Sequence, residues 1–120
     1  MSNVWNNNLI LIKADELAHL VYKETKRFPQ QEQYGLISQL RRASISVVVN
    51  MIEGHSRFRV KTHVTFLEIS FGSLKETHYL IEFSYKEGFV SKRDFEFLDS
   101  LCDGIEKMLF TKIRTMKQTI

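Results

Sequence analysis

The segment from Phe28 to Gly54 constrains the fold more than any other part of the chain. It reads FPQQEQYGLISQLRRASISVVVNMIEG, with the only proline of the protein near its start and a glycine at its end. Apolar residues recur on almost every side of the helix that this segment would form, which is typical of a helix buried on most of its faces. Because a buried helix needs partners, the segment favours a protein made of several packed helices.

Helical periodicity extends through the rest of the chain. The spacing of apolar residues predicts four helices, from about Leu9 to Arg27, from Glu32 to Glu53, from Thr62 to Lys86 or Glu87, and from Ser91 onward. Only short segments connect them, and short connections make consecutive helices antiparallel. Residues 1–120 are therefore predicted to form a single all-α domain, an antiparallel up-down-up-down four-helix bundle with left-handed packing.

Several residues carry local signals for where a helix begins or ends. Gly54 suits the left-handed conformation that often closes a helix, and it is expected to end the second helix in this way. Gly88 is expected to end the third helix, and Thr62 to cap its start with the side-chain hydroxyl. Ser91, followed three residues later by Asp94, resembles a capping box at the start of the fourth helix.

Three seams of mostly apolar residues are expected to form the core, because their members recur at the three-and-four spacing of bundle packing. The seams are Ile10, Ala14, Leu17, Val21 and Phe28 in the first helix; Val64, Leu67, Phe71, Leu74, His78, Ile81 and Tyr85 in the third; and Leu98, Cys102, Ile105, Leu109, Ile113 and Met116 in the fourth. On these seams, His78 is predicted to be a hydrogen-bonded core histidine and Cys102 an inert core residue.

Positive charge is unevenly distributed along the chain. The net charge is only +3, but residues 55–61 and 107–120 contain Lys and Arg without any acid, whereas residues 62–106 hold nine acids and four bases. A basic loop and a basic tail on a nearly neutral body favour an anionic partner. The alternative is that these charges only keep the surface hydrated.

The loop after the second helix, GHSRFRVKTH, has a composition suited to RNA or single-stranded nucleic acid. Its cations would neutralise phosphates and Phe58 would stack on a base. The alternative is an ordinary solvated loop, with Phe58 folded back on the bundle. The candidate nucleic-acid contacts are Arg41, Arg42, Arg57, Arg59, Lys61, Lys112, Arg114 and Lys117.

Arg42, Asn50 and Glu53 form a second candidate set, predicted to belong to a salt-bridge network that fixes helix packing or joins subunits. Glu53 lies near the C-terminal end of its helix, where a negative charge opposes the helix dipole. Its carboxylate is therefore expected to face a cation, supplied by Arg57, by Arg59 or by a neighbouring chain.

The sequence offers little for catalysis or for metal binding. Arg57 and His63 have a spacing that resembles helical ribonucleases of the HEPN type, in which the imidazole transfers protons. The four histidines show no paired ligand spacing, and no phosphate-binding glycine loop or nucleophile elbow is visible in the sequence. We predict a protein that is not an enzyme and has no metal, cofactor or small-molecule substrate, with a weak ribonuclease as the alternative.

The start of the chain does not resemble a signal peptide, because it lacks a basic region followed by a long apolar stretch. No apolar run approaches the about 18 residues of a membrane span. The expected location is the cytoplasm, without a membrane partner.

Three motifs carry a family resemblance: YGL-x-x-Q-x-RRA, S-x-x-x-N-x-x-EG and FLEISFGSLKE. From about Leu9 to Phe89, the chain resembles small four-helix-bundle proteins first noticed as reading frames in intervening sequences of the large-subunit ribosomal RNA gene. The resemblance implies a ring of protomers, most often five, around a central channel. Accessory subunits of diversity-generating retroelements, which form basic rings and bind nucleic acid, are similar at the level of the fold.

The chain departs from the family pattern at the second helix. Val48 stands where the family has a proline, and Val49 follows it in place of a small polar residue, so the helix is expected to be straighter. The first helix has Leu11 where the family has a tryptophan. The hypothesis is a self-assembling bundle, most often pentameric, that binds RNA or DNA through a basic surface. The alternative is a structural scaffold with a protein partner.

Overall fold

The computed structural model describes residue 5 and residues 7–120, and it contains four α-helices. They are α1 (Leu9–Thr25), α2 (Ser38–His55), α3 (Val60–Lys86) and α4 (Lys92–Lys117). A 3-10 turn at Gln30–Glu32 and a π-helical turn at Gln33–Ile37 lead into α2. The described residues include no strand, which confirms the all-α prediction.

Helices that follow one another along the chain pack side by side. The most extensive contact joins α2 to α3, α4 packs on α3, and α1 closes the bundle against both α2 and α4. The bundle measures 45 × 23 × 22 Å, so its long dimension is set by α3 and α4. These two helices of 27 and 26 residues are each about 40 Å long at the usual rise per residue. None of the helices in the described part of the chain is both long and apolar enough to cross a membrane.

The predicted seams of α3 and α4 form much of the core. The buried members are Val64, Leu67, Leu74 and Ile81 on α3, and Leu98, Cys102, Ile105, Leu109 and Ile113 on α4. Phe71, Tyr85 and Met116 are partly buried and pack against this cluster. Burial raises the pKa of the Cys102 thiol far above its ordinary value, which agrees with an inert core residue.

Gly54 does not end α2 in a left-handed conformation, so this prediction is wrong. The helix continues to His55 and is followed by Ser56. Gly54 is needed for space: a Cβ atom there would lie 2.8 Å from Cδ2 of His63 and 3.1 Å from Cβ of Phe66. The glycine that does adopt a left-handed conformation is Gly88, with φ of +84°, just after the end of α3.

Other helix ends differ from the prediction by a few residues. The hydroxyl of Thr62 does not cap α3, because the helix begins earlier, at Val60, after the extended Arg59. The capping box of α4 is confirmed in its first half, since the Ser91 hydroxyl accepts a hydrogen bond of 3.1 Å from the backbone N–H of Asp94. Regular α-helix in the second element starts at Ser38, because the preceding residues form the 3-10 and π-helical turns.

Candidate nucleic-acid interface

The basic loop and the basic tail lie at the same end of the bundle. Since α3 and α4 are antiparallel, the start of α3 lies beside the last turns of α4. Two observations show this: Nζ of Lys117 lies 2.7 Å from Oε2 of Glu68, and Lys112 lines one small cleft together with His55 and His63. We call this surface the basic end; it consists of Arg57, Arg59, Lys61, Lys112, Arg114 and Lys117.

The loop of the basic end is anchored through one of its arginines. Nη2 of Arg57 lies 2.9 Å from Oε2 of Glu53, and its guanidinium carbon lies 4.7 Å from the ring centre of Phe66. The cation expected beside Glu53 is thus Arg57 of the same chain. Phe58 is fully exposed rather than folded against the bundle.

The other cations of the basic end point outward to different degrees. Arg59, Lys61 and Arg114 are exposed and Lys112 is half-buried. Within the described part of the chain, none of these four side chains lies within 4.0 Å of a carboxylate oxygen. Their charge is therefore available to an external anion.

Arg41 and Arg42 lie elsewhere and already have partners. Nε of Arg41 donates a 2.8 Å hydrogen bond to Oγ1 of Thr25, and the guanidinium lies 4.4 Å from the ring centre of Tyr22. Nη2 of Arg42 lies 3.0 Å from Oε2 of Glu76. Both arginines are near the start of α2, about 20 Å along the helix from the basic end. The structure therefore divides the eight predicted contacts into a cluster of six and a separate pair.

Arg42, Asn50 and Glu53 are not joined to one another. Arg42 pairs with Glu76, and Glu53 pairs with Arg57. The side-chain amide of Asn50 donates hydrogen bonds to the carbonyl oxygen of Ser46 at 2.9 Å and to Oγ of Ser46 at 3.0 Å. The hydroxyl of Ser46 also bonds that of Ser73 across the α2–α3 contact, at 2.8 Å. Each of these three polar residues therefore has a hydrogen-bond or ion-pair partner within the chain.

The two histidines of the loop motif form a pair beside the basic end. The ring centres of His55 and His63 lie 6.3 Å apart, with the rings nearly perpendicular. Burial lowers the pKa of His63, and the positive charges of Lys112 and His55 lower it further. Arg57 contacts Glu53 and Phe66 rather than His63, so the two residues of the HEPN-like spacing take separate partners.

A polar cluster between α3 and α4 escaped the sequence analysis. His78, which was predicted as a hydrogen-bonded core histidine, is half-buried and lies between Glu106 and Asp99, with ring nitrogens 2.5 Å and 2.6 Å from their oxygens. Lys75 adds a contact of 3.0 Å to Glu106. A signal existed, because Glu106 follows the seam residue Ile105, but one helix alone does not show which face a neighbour covers.

A groove lined by both apolar and polar side chains runs between α1 and α2, and Arg41, Arg42 and Asn50 belong to its polar part. Tyr22, Ile45 and Val49 line both of the adjoining clefts that form it, Tyr34 lies at one end, and His19 lies toward the other. Tyr34 is almost fully exposed, and Ile45 and Val49 are each more than a third exposed. We call these residues the α1–α2 groove. Exposed apolar side chains that lie together in this way are typical of protein interaction surfaces in general.

Taken together, these features define a class of protein, an antiparallel four-helix bundle with one basic end. The chain belongs to the family of 23S rRNA-intervening sequence proteins, whose family model matches residues 6–111. No significant match was found among curated proteins.

Among solved structures, the chain is similar to a protein with unknown function from the S23 ribosomal protein family of Bacteroides thetaiotaomicron VPI-5482. The TM-score is 0.79 at 20% sequence identity, and the alignment covers 88% of this chain and 98% of the other. At this identity the likeness shows the shared fold.

Proposed function

We propose that the protein is a non-enzymatic, self-assembling bundle that binds nucleic acid, RNA in particular, in the cytoplasm. The basic end is the binding surface. The observation that carries this proposal is the convergence of the loop and the tail, which are about 50 residues apart in sequence, into one surface. Four of its six cations have no carboxylate within salt-bridge distance among the described residues.

The chemistry of the basic end suits a flexible phosphate backbone. Arg59, Lys61 and Arg114 are exposed without a carboxylate within salt-bridge distance among the described residues, so binding a phosphate does not require breaking an existing ion pair. Phe58 presents a fully exposed ring beside them. An exposed aromatic ring next to cations is the usual arrangement for stacking on an unpaired base.

The dependence of RNA affinity on salt concentration is the first test of this proposal. If each protomer neutralises about three phosphates, the logarithm of the affinity should fall against the logarithm of the salt concentration with a slope of about −2 to −3. A ring of protomers would steepen this slope, because several basic ends would bind one strand.

Charge reversal identifies the surface that binds. We expect Arg59→Glu with Lys61→Glu to abolish the binding of a labelled single-stranded RNA in fluorescence anisotropy at low salt. Arg57 is left unchanged because its contact with Glu53 anchors the loop. The matched control is Lys92→Glu with Arg93→Glu, which makes the same change in charge at two exposed residues that begin α4, at the opposite end of the bundle.

The two variants separate the outcomes. Binding that is lost only in the loop variant supports the basic end, and equal loss in both variants shows that net charge alone matters. If the parent protein fails to bind RNA or DNA even at low salt, the proposal is wrong. A structural scaffold, in which the α1–α2 groove holds a protein partner, then becomes the better reading.

We further propose that self-assembly uses apolar surface and gives a pentamer, the number that the family resemblance implies. The α1–α2 groove supports assembly, because its exposed tyrosines and aliphatic residues would gain from burial against another chain. Light scattering that returned the 14.2 kDa mass of a single chain at micromolar concentration would contradict this.

A further inference from the structure

A small cleft at the basic end collects three nitrogen-bearing side chains. Its lining includes His55 from the end of α2, His63 from the first turn of α3 and Lys112 from the last third of α4. Asn8, just before α1, closes the fourth side. Each helix of the bundle, or the residue that caps it, therefore contributes to one spot.

The close approach of α2 and α3 creates this cleft. Gly54 lies against α3 so tightly that a Cβ atom would meet Cδ2 and the carbonyl oxygen of His63, at 2.8 Å and 3.1 Å. Because this glycine has no side chain, the ring of the adjacent His55 comes within 6.3 Å of the His63 ring, measured between centres.

The groups facing His63 are neutral or positive. From α2 it faces His55, from α4 Lys112 and from the start of α1 the amide of Asn8. The nearby cation Arg57 lies over the ring of Phe66, three residues further along α3. The amide oxygen of Asn8 is already used by the backbone N–H of Leu11, at 3.1 Å.

The carboxylates nearest to these residues in the sequence already form ion pairs. Glu53 pairs with Arg57, and Glu68 pairs with Lys117. The cleft itself is smaller than a phosphate group, and Ile10, Met51, Leu67 and Leu109 also line it, so an anion would lie at its mouth. There His55 is exposed and His63 and Lys112 are half-buried, and these imidazoles and the ammonium have no counter-ion from the described residues. This is an arrangement that an anion would complete.

We propose that His55, His63 and Lys112 bind one phosphodiester of a single-stranded RNA, and that binding is coupled to the uptake of a proton by His63. This inference rests on the proposed function and adds to it a site and a pH dependence. In the free protein, burial and the neighbouring charges of Lys112 and His55 hold the pKa of His63 below its ordinary value. The negative charge of a bound phosphate offsets the positive charges around His63, so it favours the protonated form of the imidazole.

Linkage then fixes the direction of the effect. Because the complex holds a proton that the free protein lacks near neutral pH, affinity must rise as the pH falls. With one proton taken up per site, affinity changes at most about tenfold per pH unit over the range between the two pKa values.

The test uses a labelled oligouridylate, whose bases do not titrate between pH 5.5 and 8. Affinity is measured by fluorescence anisotropy across this range, and proton uptake by calorimetry in two buffers with different ionisation enthalpies. We expect the parent to bind more tightly at the acidic end and to take up a proton on binding. His63→Gln should bind with little pH dependence and take up less.

An NMR titration of the free parent protein provides a second test, which does not require the His63→Gln variant. The imidazole proton resonances of His63 in NMR should titrate below the ordinary histidine pKa of about 6.5, and saturating oligouridylate should move the His63 midpoint upward. Lys112→Gln should raise that midpoint in the absence of RNA, because it removes a neighbouring cation.

Three outcomes decide between the ideas. RNA binding that is independent of pH, or a pH dependence that His63→Gln keeps in full, overturns this inference and leaves the proposed function intact. A parent protein that does not bind oligouridylate or mixed-sequence RNA at any pH at low salt overturns the proposed function itself. Proton uptake that disappears only in His63→Gln supports both.

Discussion

His78 and Glu106 pair across the contact of α3 with α4, with Nδ1 2.5 Å from Oε2 of a glutamate that is only 8% exposed. The other ring nitrogen lies 2.6 Å from Asp99, and Lys75 lies 3.0 Å from Glu106. A carboxylate this deeply buried needs such partners, because an unpaired buried charge is costly. The cluster therefore joins two helices through charge, and Glu106 is the one charged side chain among the buried residues in the described part of the chain.

The first prediction concerns the pH dependence of stability. Burial alone would lower the pKa of His78, but hydrogen bonds to Asp99 and Glu106 more than offset this and raise it. Protonated His78 is thus favoured by folding. Its contribution is fully present below the unfolded pKa of about 6.5 and is lost as the pH rises through the higher folded pKa.

His78→Gln measures this contribution. We expect the variant to lose about 2 kcal/mol of unfolding free energy at pH 6, because it removes hydrogen bonds to charged groups. The loss should shrink toward alkaline pH in urea denaturation followed by circular dichroism. His19→Gln, an exposed histidine, should cost little at any pH. A cost for His78→Gln that does not vary with pH would show that the imidazole is neutral in the folded protein.

The second prediction concerns Gly54. Replacement by Ala should destabilise the protein by about 1–3 kcal/mol through overpacking, although Ala is the better helix former. The imidazole of His63 could turn aside, but its carbonyl oxygen and Cβ of Phe66, both 3.1 Å away, belong to the framework of α3.

Gly104 supplies the control, because a Cβ atom there would meet no atom within 4 Å beyond the adjacent backbone of its own helix. Gly104→Ala should therefore stabilise the protein by about 0.5–1 kcal/mol, the usual gain in a helix interior. Thermal unfolding of the two variants should move in opposite directions. If Gly54→Ala is also stabilising, the helices can separate at this point without cost.

These glycines show what the sequence could and could not predict. Periodicity predicts the four helices and the apolar seams, since those depend on spacing within one helix. The role of Gly54 depends on how near α3 comes, and this is a property of two helices at once. Thr62 failed as a cap for a related reason: a helix can begin earlier without a side-chain cap, as α3 does at Val60.

The same reasoning explains the outcome for the candidate site. Charge along the sequence identified both halves of the basic end, and antiparallel topology brings them together. What a pattern of charges does not reveal is which cations the fold already uses. Arg41 and Arg57 have partners, whereas Arg59 and Lys61 have no carboxylate within salt-bridge distance among the described residues. The pairing of His55 with His63 likewise required the contact of α2 with α3.

The third prediction separates a structural arginine from a phosphate contact. Arg41→Gln should cost about 1–2 kcal/mol of stability, since it removes a charged hydrogen bond to Thr25 and the contact with the Tyr22 ring. RNA affinity should stay within about twofold of the parent, because the arginine lies away from the basic end.

Lys61→Gln should show the reverse pattern, with unchanged stability and weaker RNA binding, because Lys61 is exposed and lies in the basic end. Urea denaturation and fluorescence anisotropy on both variants provide the comparison. Equal losses of RNA affinity in the two variants would place Arg41 in the binding surface after all.

The fourth prediction concerns the surface used for self-assembly. Val49 lies in the α1–α2 groove and is 46% exposed, so a charge there would oppose burial against another chain. Val49→Glu should reduce the assembled mass in light scattering while leaving the helix content unchanged. Ile69→Glu is the matched control, since Ile69 is a 47% exposed aliphatic residue on α3, outside the lining of the groove. We expect Ile69→Glu to assemble like the parent. Dissociation caused by Ile69→Glu but not by Val49→Glu would move the assembly surface from the groove to α3.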